Sequence, residues 1–171
     1  MKTMGILDGN PKDEPMHYGE VYGVWMASMG AKGMISCYQA YMNHAGDKEL
    51  KHLLSEMLEM ACLESKELDE LLTEQGIVPP PALPERPEVH WEDIPAGARF
   101  SDPETAAKLA VDCAAGLAAC SMAMGQSIRE DIAALFAKYH TKKAALGLKV
   151  LRMNKEKGWL IPPPLHIQRS E

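Results

Sequence analysis

Glu49 and His52 stand three residues apart in a segment that reads DKELKHLL. Glu-x-x-His on a helix puts a carboxylate and an imidazole on one face, one turn apart. Inside a four-helix bundle that pair is half of a two-metal centre. A complete centre takes a second such pair and one more Glu from each of the other two helices. No second Glu-x-x-His occurs within the four helical segments, since Glu14-Pro15-Met16-His17 precedes the first of them. Glu49 and His52 continue to Glu56 and Glu59 along a charged face, opposite the apolar seam of Leu50, Leu54, Met57 and Ala61. They are therefore expected to face water, and a paired metal site is not expected. His44 and His52 flank one turn, where they are a candidate pair for a surface ion. Asp112, four residues after Lys108, reads as an ion pair on a solvated face.

One acid does not fit its surroundings. The seam of the second helix reads Leu50, Leu54, Met57, Ala61, Glu64, Leu68, Leu71, and Glu64 is its only charged member. A buried carboxylate costs several kcal/mol unless it is paired. His140 and Lys143, on a later helix, fall at the same level and are the expected partners. Glu64 and His140 are also the low-ranking candidates for an atypical metal or catalytic site, with a polar clamp as the favoured reading. No catalytic or cofactor-binding residue is assigned, and none of GxGxxG, GxxxxGK or GxSxG occurs.

Four helices must position these groups. Periodicity at three and four residues, with capping and breaking residues between, places them at about 19–45, 48–75, 103–126 and 129–156. Val24, Ser28, Ala31, Ile35, Tyr38 and Met42 form the inner face of the first. Lys32, Ser36, Gln39 and Asn43 form a polar stripe beside it. Asp47 is the expected cap of the second helix, and Ser101-Asp102-Pro103 of the third. Ser127-Ile128-Arg129-Glu130 reads as a capping box for the fourth. Residues 1–18 are an N-terminal extension.

Between the second and third helices lies a stretch, 76–102, with Pro79, Pro80, Pro81, Pro84, Pro87 and Pro95. Proline excludes helix there and favours stiff extended backbone, long enough to traverse a 25-residue helix. Its Ile77, Val78, Leu83, Trp91, Ile94 and Phe100 are expected to pack on the bundle's outside. Two tight hairpins joined by one long crossover make an all-α, ferritin-like four-helix bundle. The tail, 158–171, with Trp159 and a run of three prolines, is expected to lie back on the bundle. Trp25, Trp91 and Trp159, with Glu64, Arg129 and Asp131, are the expected structural residues. Arg129 and Asp131 are expected to pair with the crossover.

Bulk numbers agree with one soluble domain. The chain has 171 residues, 25% of them charged, and a net charge of -6, which disfavours a nucleic-acid partner. No membrane span is expected, and MKTMGILDGNPKDEP lacks the apolar centre of a signal peptide. The four cysteines are expected to be buried and reduced, which implies cytoplasmic synthesis. Twelve methionines against two phenylalanines suggest a core of flexible side chains and alanine. An Ala/Met-lined cavity for a small ligand is the third functional reading.

Val24-Trp25, KELKHLL, GIVPPP, WEDIPAGARFSDP, SIREDI and GWLIPPPLH occur in this order from Gly19 to His166. With these pieces the chain resembles the ferritin-like family of domain of unknown function 3231, which is similar to spore coat protein F. The resemblance implies a ferritin-like bundle associated with spores and supplies no catalytic residues. Members often carry His where this chain has Glu64. The expected function is that of a non-enzymatic structural or interaction protein of the spore coat. Its expected partners are a second copy, as a homodimer, and other spore coat proteins. A metal-binding oxidoreductase or storage bundle is the alternative.

Overall fold

A computed structural model describes residues 14–166. Four α-helices account for most of it: α1 (Tyr18–His44), α2 (Lys48–Glu74), α3 (Asp102–Gln126) and α4 (Glu130–Glu156). Two single 3-10 turns, Trp91–Asp93 and Ala96–Ala98, are the only other regular elements among the described residues. The helices pack as a bundle in which α1 pairs with α2 and α3 with α4, while α1–α3 and α2–α4 meet across it.

Local chemistry starts and stops these helices. The Asp47 carboxylate accepts the amides of Glu49 and Leu50, satisfying two of the free donors at the start of α2. Ser101 and Glu104 form a reciprocal box at α3, with Pro103 in its first turn. Gly76 and Gly158 close α2 and α4 with φ of 72° and 68°, the left-handed conformation that glycine adopts without strain.

The α3–α4 junction departs from the capping box read in the sequence. Ser127 turns back and donates its hydroxyl to Ala123 O, and the N-cap residue is Arg129, whose side chain makes no cap bond. Glu20, from α1, takes over: its Oε1 accepts the Ile128 and Arg129 amides at 2.8 and 2.9 Å. A buried carboxylate from another helix is a better acceptor than a serine hydroxyl, and Ser127 is left free to cap α3.

Two apolar clusters fill the interior. One joins Tyr38, Leu50, Leu54, Met57, Leu109, Val150 and Met153, and the other joins Val24, Leu68, Leu72, Cys120, Ile132, Phe136 and Tyr139. Leu72, not Leu71, ends the buried seam of α2. Between the clusters lies a waist, where α2 contributes Glu64, α3 Gly116 and α4 Lys143.

Several expectations are corrected. Cys113 and Cys120 are buried, but Cys37 and Cys62 are exposed, because both fall on outward faces of their helices. Of the segment's apolar residues, Ile77 packs on the core and Phe100 meets Tyr41 and His44 edge-on, while Val78, Leu83 and Trp91 are exposed rather than packed down. Among the described residues of the tail only Trp159 packs on the core, and Ile161, ahead of three prolines that keep the backbone extended, is 92% exposed. Residues 1–13 and 167–171, parts of the expected extension and tail, lie outside the described residues. The α3 region is also long and apolar enough, by length and composition, to cross a membrane. Its apolar content is largely alanine, which also suits close packing against a neighbouring helix. Its hairpin partner α4, with Lys138, Lys142, Lys149 and Arg152, is too charged to accompany it into lipid.

Glu20→Ala removes the acceptor of two junction amides, that of Arg129 buried and that of Ile128 partly so. It is expected to lower unfolding free energy by about 2–3 kcal/mol in urea titration, whereas Ser127→Ala is expected to cost under about 1 kcal/mol.

Candidate functional site

Helical spacing brings Glu64 of α2 to the waist, with an apolar cluster on either side of it. Lys143 crosses from α4 and donates to both carboxylate oxygens, at 2.7 and 2.8 Å. The Glu64 and Lys143 side chains are about nine-tenths and four-fifths buried. Gly116 makes this reach possible: a Cβ there would stand 2.8 Å from Lys143 Cδ. Of the two nitrogens left open by the sequence, Lys143 closes on Glu64 and His140 does not. A lysine stem lies along apolar surface and delivers its charge several atoms from its own helix, which an imidazole cannot do.

Polar contacts continue from the waist toward one end. Glu67 accepts from the Tyr139 hydroxyl at 2.8 Å and from Lys138 at 2.5 Å. Burial alone would raise the Glu67 carboxyl, yet these two donors hold it below the usual carboxylate range. Burial, and then the carboxylate, push the Tyr139 phenol well above its ordinary value. Tyr38, buried near Asp112, is likewise raised, chiefly by burial.

A second network lies on α1. Asp69 accepts from Ser28 Oγ at 2.5 Å and pairs with Lys32 at 2.7 Å. Lys32 is buried and also donates to Pro80 O at 2.5 Å. The rest of the polar stripe does the same work further along. Arg86 N donates to Gln39 Oε1 and its guanidinium to Ser36; Asn43 donates to Pro87 O and accepts from Val89 N. Trp25 Nε1 donates to Val78 O at 3.2 Å. Segment 78–89 thus runs along α1 in the same direction as the helix. Prolines have no N–H, so the segment offers mainly carbonyls, and α1 supplies donors for them.

The remaining sequence-selected residues fall elsewhere. Trp91 carries the Arg99 guanidinium 3.9 Å above its ring, and Arg99 also donates to Ile94 O and Glu92 O. Arg129, 1% exposed, holds Asp131 through a fork at 3.0 and 2.7 Å and donates to Glu14 O. Its partners are therefore a neighbour and the N-terminal segment, not the segment between α2 and α3. Burial would raise the Asp131 carboxyl, but that fork holds it below its ordinary value. Trp159 packs on the core with its amide donating to Asn154 O.

The opening motif faces solvent. His52 is exposed and sits 3.3 Å from Glu56, while Lys157 pairs with Glu49 and Asp47. His44 is taken by Ala40 O, Ala98 O and the edge of Phe100, so it does not join His52. Asp112 pairs with Lys108, yet its side chain is nine-tenths buried with Oδ2 unpartnered, unlike the solvated pair read in the sequence. Among the described residues no three His, Cys, Asp or Glu side chains gather in a way that could hold a metal ion. A surface groove between α2 and α4 is lined by Glu49, His52, Glu56, Lys149 and Arg152, a charged setting rather than an Ala/Met cavity.

The Glu20 cap, the Lys32–Asp69 tether and the role of Gly116 were not read from the sequence. Lone charges in otherwise uncharged stretches of α1 were the available signal for the first two.

Fold and site together define an all-helical bundle with an ion pair closed inside its waist. The chain belongs to the family described as "Protein of unknown function (DUF3231)", whose model matches residues 4–171. It is 55% identical over 166 residues to uncharacterized protein YvdQ of Bacillus subtilis (strain 168), covering 97% of this chain and 98% of that one. It is also similar to a crystal structure described as "a putative spore coat protein (BH2358)" from Bacillus halodurans C-125. There the TM-score is 0.91 at 48% identity, covering 93% of this chain and all of that one.

Lys32→Met leaves Pro80 O without its donor and Asp69 with Ser28 alone. Cleavage after Glu85 and Glu88 by a glutamate-specific protease in the native protein is expected to speed up several-fold, with a stability loss of about 2 kcal/mol. An unchanged cleavage rate would mean that the tether does not hold the segment.

Proposed function

We propose that this chain is a non-enzymatic structural or interaction protein of the spore coat, built as a ferritin-like bundle whose segment between α2 and α3 is the long crossover. The single observation that carries the reading is the closure of Glu64 by Lys143. In a di-metal bundle the mid-helix carboxylates are the ligands. Here the seam supplies one, and an ammonium occupies both of its oxygens. A clamp of that kind fixes the register of α2 against α4.

Support for the coat comes from the description of the Bacillus halodurans protein, nearly half identical to this chain over almost its whole length. A coat component needs a stable, cohesive body rather than a substrate cleft. Cytoplasmic synthesis followed by deposition on the forming spore is the corresponding localisation, with other coat proteins as partners.

The experiment has two arms. Protein purified without a tag from sporulating cells is expected to contain iron and manganese far below one equivalent, and the antigen is expected in the coat fraction. Near-stoichiometric metal that is lost in Glu64→Ala would favour the metal-binding alternative. Confinement to vegetative cytosol would contradict the coat role.

A further inference from the structure

Both helical hairpins of the bundle end in the same way. Gly76 and Gly158 turn the chain out of α2 and α4 with φ of 72° and 68°. The next residue, Ile77 or Trp159, packs on the core and donates its amide back to Leu72 O or Asn154 O. Three prolines follow each time, Pro79 to Pro81 after Val78 and Pro162 to Pro164 after Ile161. A proline run is stiff and extended before it meets a partner, so docking it loses little chain freedom.

The first run is received by its own chain and the second is not. Trp25 Nε1 donates to Val78 O at 3.2 Å, and Lys32 donates to Pro80 O. In the second hairpin α3 has no Trp, and its one Lys, Lys108, is paired with Asp112. Residues 160–166 are all exposed, Ile161 at 92% and Leu165 at 72%, and among the described residues no donor reaches Ile161 O. A matching group stands open between α2 and α3. Trp91 is 47% exposed, and its indole N–H has no acceptor among the described residues. Arg99 lies 3.9 Å above the ring and is itself held by Ile94 O and Glu92 O, so the indole is fixed in place. Glu88, Glu92 and Asp93 are exposed in this stretch against Arg99 and His90, whereas the tail from Gly158 to Ser170 has no acid and carries Arg169.

We propose that the tail of one copy, at Ile161 to Pro164, docks on Trp91 of a second copy, and that the exchange is reciprocal. The chain already uses this pairing at Trp25, where an indole N–H meets the carbonyl that precedes three prolines. Proline-rich segments also pack on exposed aromatic side chains. One copy leaves both groups unpaired, so the tail that fills the site comes from another. Both groups belong to the same end of the bundle. Val89 N and Ala98 O are bonded to Asn43 and His44 at the end of α1, and Lys157, at the root of the tail, pairs with Asp47 in the turn that follows. Two copies meeting at this end around a two-fold axis each give a tail and receive one, which closes the assembly at two. Neither group touches the Glu64 clamp, so this proposal and the preceding one fail separately.

Sedimentation velocity of the untagged full chain tests this. The wild type is expected to sediment at twice the 18.8 kDa chain mass at micromolar concentration. Trp91→Ala and Ile161→Asp are each expected to weaken association at least tenfold, with an unchanged far-ultraviolet helical spectrum. Ile161 is almost wholly exposed in one copy, so its variant separates lost docking from lost folding. Mixing the two variants restores one of the two contacts, and a mixed dimer is expected at concentrations where neither variant dimerises alone. A wild type that stays at the single-chain mass throughout the micromolar range would overturn the proposal. So would variants that dimerise as tightly as the wild type. A mixture that yields no mixed dimer would overturn it too, as it would if each tail served its own chain.

Discussion

A carboxylate cannot sit between two apolar clusters without a partner, and much of this bundle is arranged around that constraint. Glu64 divides the interior into halves. Its partner must come from another helix, because its own helical neighbours one turn away, Met60 and Leu68, are apolar. Lys143 meets the need only because α3 has Gly116 where its stem passes. Three helices are thereby held in one relative register. Flexible Leu, Met and Ala packing on either side would tolerate a shift of a turn, but an ion pair with two short hydrogen bonds would not.

The same logic of matched polar groups governs the outside of α1. A proline-rich strand has carbonyls to satisfy and few amides to give, so it needs a surface rich in donors. Lys32, Asn43 and the indole of Trp25 provide them, and Gln39 and Ser36 accept what Arg86 donates. Asp69 keeps Lys32 aimed at the segment. At the ends of the bundle, Glu20 ties the α3–α4 junction to α1, and Asp102 accepts the amides of Gly46 and Asp47 from the α1–α2 turn. Each hairpin is thus fastened to the other by a carboxylate at both ends.

The all-helical bundle was legible because periodicity and capping are local. Asp47 and Ser101 announce helix starts with residues that act within three positions of themselves. Glu64 was legible as an oddity, since one acid on an apolar seam breaks a pattern that a single helix reveals. The identity of its partner was not. His140 and Lys143 stand one turn apart at the same level, and the choice rests on side-chain reach and on a glycine in a third helix. Glu20 shows the same limit: its amides lie more than a hundred residues away, so a local serine was read as the cap. The polar stripe of α1 was visible, but its role depends on the segment laid against it. Alanine misled in another way, because α3 looked like close-packed core and instead leaves an apolar side uncovered.

The central claim is that Glu64 and Lys143 form a structural clamp, and a double-mutant cycle measures it most directly. Unfolding free energies of Glu64→Leu, Lys143→Met and the double variant are compared in urea. Each single change is predicted to cost about 3–5 kcal/mol by stranding a buried charge, and the double variant to lose less than either alone. Additive losses, or single variants as stable as the wild type, would contradict the account.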